Sequence, residues 1–145
     1  MCPSAASAQQ MNQESVLSLQ ASQQAVAGHY QQAIRIYDQL IHMDPRDADH
    51  YIQRALLYRQ IKNNQQSVAD ASVALQLAEY RLQKRSSGKR AAKYYWQRSQ
   101  AHRLLHQFSE AEADIRKAIQ LRRDQRYLPD LQAIVLESKI YKAGR

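Results

Sequence analysis

Along the second half of the chain's first hairpin, Ala33, Ile34, Tyr37, Leu40 and Ile41 fall on one side of a 3.6-residue spiral, with polar residues between them. Ala111, Ile115, Ala118 and Ile119 do the same some eighty residues later. That spacing predicts amphipathic α-helices rather than strands, whose apolar positions would alternate. Extending the pattern predicts helices over about 14–27, 30–43, 48–61, 65–85, 90–105 and 109–123. Asp44-Pro45 stops the second of these, because proline cannot continue a helix, and Ser109 with Glu112 has the spacing of a capping box opening the sixth. No proline follows Leu77 and "AEYRLQKR" is rich in helix formers, so the fourth helix should run on until Ser86-Ser87-Gly88 breaks it. After Pro129, "DLQAIVLESKIY" sets Leu131, Ile134, Val135 and Ser138 on one side and predicts a last helix at about 129–142. Residues 1–12, small and polar, are expected to form a disordered tail.

The polar positions repeat as well as the apolar ones. Tyr51–Leu77 superposes on Tyr95–Leu121 with identities that include Gln53/Gln97, Arg54/Arg98, Arg59/Arg103 and Asp70/Asp114. An earlier copy lies 34 residues before the first of these, matching Leu17 to Tyr51, Ala21 to Ala55 and Ile34 to Val68. The period is therefore 34, and the spacing of 44 between the later copies contains a ten-residue insertion, 82–91. A fixed period of this length means stacked units, each burying its apolar face against the next.

These residues resemble the tetratricopeptide repeat (TPR) family, whose units place large residues at positions 4, 17 and 24, small ones at 8, 20 and 27, and proline at 32. Unit 14–47 supplies Leu17, Ala21, Gly28, Tyr30, Ala33, Tyr37 and Pro45. Unit 48–81 supplies Tyr51, Ala55, Tyr58 and Ala74, but has Asn64 and Ser67 where an aromatic and an alanine are usual. Unit 92–125 supplies Tyr95, Ser99, Phe108, Ala111 and Ala118; neither later unit has the closing proline. The resemblance implies a single all-α domain over 13–145, a right-handed superhelical stack of three helix hairpins with a C-terminal capping helix.

Composition agrees with helices, since only three glycines and three prolines interrupt 145 residues. The one cysteine, Cys2, excludes an intramolecular disulfide and a cysteine metal site. No apolar run approaches the roughly 20 residues of a membrane span and the start lacks a secretory pattern, so a cytoplasmic protein with no membrane insertion is expected. The net charge is +8, and six cations, Arg81, Lys84, Arg85, Lys89, Arg90 and Lys93, fall in thirteen residues without an acid. Any argument from basicity concerns that segment.

Little in the chain offers chemistry. The glycines are isolated, so there is no phosphate-cradling loop, and there is no nucleophile elbow. His102 and His106 stand four apart on one helix but lack a third ligand, and a histidine packed between helices is the better reading. Asp70 and Asp114 recur at equivalent places, which points to a repeated structural role beside an arginine rather than to a catalytic pair. The expectation is a protein that is not an enzyme and uses no cofactor and no metal.

In TPR proteins the first helix of each unit lines a concave groove through positions 2, 5, 6, 9, 12 and 13. The resemblance carries that role to Ser15, Ser18, Leu19, Ser22, Ala25 and Val26 in the first unit, to Asp49, Ile52, Gln53, Leu56, Arg59 and Gln60 in the second, and to Lys93, Trp96, Gln97, Gln100, Arg103 and Leu104 in the third. Gln53, Arg59, Lys93, Trp96, Gln97 and Arg103 are the partner-binding candidates: amides can hold a peptide backbone, arginine forks a carboxylate, and a lone tryptophan an apolar anchor. The alternative for Trp96 is packing beneath the C-terminal helix. The clamp by which chaperone-binding TPR proteins grip acidic tails would fall on Ser18, Ser22, Gln53, Lys93 and Gln97, of which Lys93 alone has the family's residue type. The implied function is an adaptor or co-chaperone for an acidic or extended peptide segment of another protein. Two alternatives stand beside it: a nucleic-acid accessory protein using the basic patch Arg81, Lys84, Arg85, Lys89 and Arg90 with the neighbouring tyrosines, and a small secretion or assembly chaperone. A short stack with an open groove also leaves room for self-association.

Overall fold

The computed structural model describes residues 5–145, and the expectations for Cys2 and the rest of 1–4 lie outside them. Among the described residues seven α-helices follow one another: α1 (Ala5–Val26), α2 (Tyr30–Met43), α3 (Ala48–Gln60), α4 (Asn64–Lys84), α5 (Ala91–Leu104), α6 (Phe108–Arg122) and, after a 3-10 turn at Gln125–Tyr127, α7 (Leu128–Ala143). No strand is present among the described residues. α1/α2, α3/α4 and α5/α6 are antiparallel hairpins, each packed on the next, and α7 closes the stack against α6. Two boundaries differ from the sequence expectation. α1 is already helical at Ala5, the first described residue, where a disordered tail is expected as far as 12, because "AASAQQMNQES" contains neither glycine nor proline and its alanines and glutamines favour the helix. α6 begins at Phe108 with Gln107 as its uncapped start, so Ser109 lies inside the helix, no capping box forms, and Glu112 instead accepts from Arg116.

The three hairpin turns are one structure repeated. Two residues past the end of each first helix stands one with positive φ, Gly28 (80°), Lys62 (62°) and His106 (58°), spaced by the same 34 and 44 residues as the rest of the repeat. The next amide then donates back five residues, His29 to Gln24, Asn63 to Tyr58 and Gln107 to His102, the bond that satisfies a carbonyl at a helix C-terminus. Glycine alone adopts this conformation without strain, so Lys62 and His106 hold it at a cost.

Each hairpin buries a pair of small residues at equivalent positions: Ala21 with Ala33, Ala55 with Ser67, and Ser99 with Ala111. The two serines sit on opposite helices of their hairpins. Ser67 Oγ donates to the Ala55 carbonyl at 2.9 Å, and Ser99 Oγ donates to the Ala111 carbonyl at 2.7 Å. A hydroxyl in place of a methyl is tolerated at this contact because the facing backbone satisfies it. Asp70 and Asp114 take the structural role that their recurrence implies. Arg54 donates twice to Asp70, at 2.8 Å each, and Arg98 twice to Asp114, at 2.7 Å each, tying first helix to second. Arg54 also reaches back to Asp38 of the preceding hairpin at 2.7 Å. Those bonds favour the charged guanidinium and raise the pKa of Arg54 and Arg98 above the ordinary arginine value.

Candidate functional site

Half of the concave positions of the first two units come together in one cavity of about 360 Å³, which Ser15, Ser18, Leu19, Asp49, Ile52 and Arg59 do not line. Ser22, Ala25 and Val26 of α1 form one wall, Gln53, Leu56 and Gln60 of α3 the other, and Tyr30, Tyr37 and Leu57 the floor. Val26 is almost wholly exposed and Gln60 is exposed, while Tyr37 is buried. Burial pushes the Tyr37 phenol above its ordinary value, against the opposing effect of its hydrogen bond with Ser22, so the hydroxyl stays protonated. The chemistry offered is an apolar surface edged by amides and a hydroxyl, with no charged group in its lining. That suits apolar side chains and an extended backbone.

The third unit's candidates are placed on the same side but are engaged within the protein. Gln97 is buried and donates through Nε2 to Asp49 Oδ1 of α3 at 2.7 Å, and Lys93 Nζ stands 3.5 Å from the other oxygen of the same carboxylate. Trp96 Nε1 donates to Asp130 of α7 at 2.8 Å, and Arg103 donates to both oxygens of Glu137, also on α7, at 2.9 and 2.6 Å. The Trp96 ring packs against the cluster built from Ala92, Phe108, Ala111, Ile115, Ala118, Tyr127 and Ile134. Trp96 is thus in contact with the C-terminal helix and half-buried. Arg59 lies close enough for its charge to help lower the Glu137 pKa, behind the larger effect of the Arg103 hydrogen bond. Gln100, buried next to Arg103, accepts from it through Oε1 at 3.3 Å and leaves its own Nε2 without an acceptor among the described residues.

The six candidates are therefore divided. Gln53 lines the open cavity; Lys93, Trp96, Gln97 and Arg103 meet Asp49, Asp130 and Glu137; Arg59 faces Glu137. These three carboxylates are not among the partner-binding candidates of the sequence, although one signal for two of them is available: Asp130 and Glu137 follow Trp96 and Arg103 by 34 residues, the repeat period itself. Tyr30 and Tyr37, core residues of the repeat pattern, also line the cavity.

The histidines are placed by local contacts. His102 Nδ1 pairs with Gln107 Oε1 at 2.7 Å, and His106, in the turn, stacks on Tyr141 with ring centres 4.9 Å apart. The basic segment forms a separate corner at the end of α4 and the start of α5. Tyr80, Arg81, Lys84, Arg85, Arg90 and Tyr94 surround a cavity of about 450 Å³ there, and Lys84 lies over the Tyr80 ring at 5.6 Å. No helix among the described residues is long and apolar enough to cross a membrane.

Comparison with known proteins bears on this architecture. Residues 92–125 match the tetratricopeptide repeat family, the same limits drawn for the third unit from the sequence. No curated protein matches the chain. Among solved structures, the first TPR domain of human RPAP3 is similar at 23% identity, covering 90% of this chain and 95% of that one with a TM-score of 0.56. The first TPR of Spaghetti (RPAP3), bound to the HSP90 peptide SRMEEVD, is similar at 22% identity over 86% of this chain and 91% of that one, TM-score 0.52. A T3SS complex from Aeromonas hydrophila includes a chain similar at 13% identity over 92% and 83%, TM-score 0.57. At such identities the likeness is one of fold. One tetratricopeptide repeat is recognised in the sequence, at residues 92–125, and the stacked hairpins share the fold of those TPR domains.

Proposed function

We propose that the protein is a non-catalytic adaptor that holds an extended segment of a partner protein in the cavity between α1, α2 and α3. The observation that carries this reading is the uncharged, amide-edged lining of that cavity, at the positions through which TPR domains meet their ligands. Leu56, Tyr30 and Val26 would receive apolar side chains, and Gln53 and Gln60 the backbone. The similar RPAP3 domain bound to an HSP90 peptide supports a peptide as the class of ligand. Its acidic end is a poor guide for this groove, because Asp49 already occupies Lys93 and Gln97, two of the positions where a carboxylate clamp would lie. Repulsion from Asp49 would weaken an incoming carboxylate there. A co-chaperone role fits this reading only for a client bound through apolar side chains.

The test is a peptide-array screen comparing wild type with a Val26→Arg/Gln60→Glu variant. Both positions are exposed, so the fold should persist, which circular dichroism checks. Peptides bound by the wild type and lost by the variant support the reading. Identical binding by both proteins sinks it.

A further inference from the structure

We propose that the cavity at the α4–α5 corner binds a phosphorylated segment of a partner protein. This site is separate from the concave cavity and does not rest on the reading given for it. Three guanidinium groups, Arg81, Arg85 and Arg90, and the Lys84 ammonium line about 450 Å³ of concave surface, with the rings of Tyr80 and Tyr94 beside them and no carboxylate in the lining. None of these four cations pairs with an acid among the described residues. Elsewhere the fold supplies carboxylates to the arginines it builds in: Asp70 and Asp38 to Arg54, Asp114 to Arg98 and Glu137 to Arg103.

Helix stability explains only part of this cluster. Arg81 and Lys84 occupy the last turn of α4, where the helix dipole favours cations. Lys89 and Arg90 precede the first turn of α5, where the dipole opposes them, and that turn contains no acid. Gathering like charges costs the free protein Coulomb energy that an anion would return.

The limits of the corner select the ligand. The adjoining cavity, which shares Arg81 and Tyr94, adds Asp44 and Asp47 beside Arg46 and Lys93, and a further cavity nearby sets Glu79 beside Arg98. A long polyanion leaving the corner would run onto surfaces of mixed charge, whereas a compact anion would meet the four cations alone. A phosphorylated side chain carries roughly −1.5 to −2 on three acceptor oxygens, the pattern that converging arginine forks match.

The experiment measures fluorescence anisotropy with a short labelled peptide bearing one phosphoserine, its unphosphorylated twin, and a short oligothymidylate. Phosphorylation should tighten binding at least about tenfold, the oligonucleotide should bind more weakly than the phosphopeptide, and Lys84→Ala/Arg85→Ala/Arg90→Ala should lower phosphopeptide affinity at least about tenfold. Lys117→Ala/Lys139→Ala/Lys142→Ala removes the same charge from other exposed positions and should change it less than about twofold. Val26→Arg/Gln60→Glu should also leave it unchanged, which separates failure here from failure of the concave cavity. Equal losses in the two triple variants, no effect of phosphorylation, or tighter binding of the oligonucleotide would each overturn the proposal.

Discussion

Arg103 and Glu137 form a two-pronged ion pair, Nε to Oε2 at 2.9 Å and Nη2 to Oε1 at 2.6 Å, between residues one repeat length apart. Trp96 and Asp130 are joined across the same interval. α7 therefore stands where the first helix of a fourth unit would stand, in register with α5. It inserts Ile134 into the third unit's core and returns two carboxylates to the third unit's concave face. Its outer side keeps Leu136 and Ile140 exposed, where the second helix of such a unit would have covered them.

Replacing Glu137 should loosen that arrangement in a pH-dependent way. The Arg103 hydrogen bond holds the Glu137 carboxyl below its ordinary value near 4.5. The stabilisation is thus complete above that pH and is lost as pH falls through the lowered value. Glu137→Gln should cost about 1–2 kcal/mol at neutral pH by urea melts, and the gap to wild type should close as pH falls through the lowered value. A gap that stays constant on acidification would mean that the pair contributes through packing alone.

The two repeated Arg–Asp pairs should respond unequally. Asp114→Asn strips Arg98 of the carboxylate it holds with two bonds, while after Asp70→Asn the Arg54 guanidinium keeps Asp38 at 2.7 Å. Thermal melts should show Asp114→Asn costing about 2–4 kcal/mol and Asp70→Asn about 1 kcal/mol less. The reverse order would show that Asp38 gives Arg54 no effective second partner.

Turn residues offer a gain rather than a loss. Lys62→Gly relieves a positive φ at an exposed position and should stabilise the protein by a few tenths to about 1 kcal/mol in urea. His106→Gly relieves the same strain but removes the ring stacked on Tyr141, so it should gain nothing or lose stability. Equal gains from both would mean that the stack with α7 contributes nothing.

At the close helix contacts, volume should matter more than polarity. Ser99 is fully buried opposite Ala111, so Ser99→Val should cost about 1–3 kcal/mol by forcing the hairpin open, against about 1 kcal/mol or less for Ser99→Ala. Calorimetric melting of the two variants decides between them, and a larger loss for Ser99→Ala would mean that the hydroxyl bond outweighs the fit.

The repeat, its units, the helices and the residues that fill each hairpin are all legible in the chain before it folds. Apolar spacing, small residues at close contacts and breakers at turns are local signals, and they recur at a fixed period. The Asp70 and Asp114 partners are legible for the same reason, as positions copied together with Arg54 and Arg98. Which concave residues are free is settled only once the hairpins are stacked. Gln53 and Gln97 are identical in type and repeat position, yet one borders an open cavity and the other is buried against Asp49. Arg59 and Arg103 differ in the same way, because α7 brings Glu137 within bonding distance of the second. A side chain's availability depends on which neighbour the fold sets beside it, and the first and last members of a stack have different neighbours even when their sequences repeat.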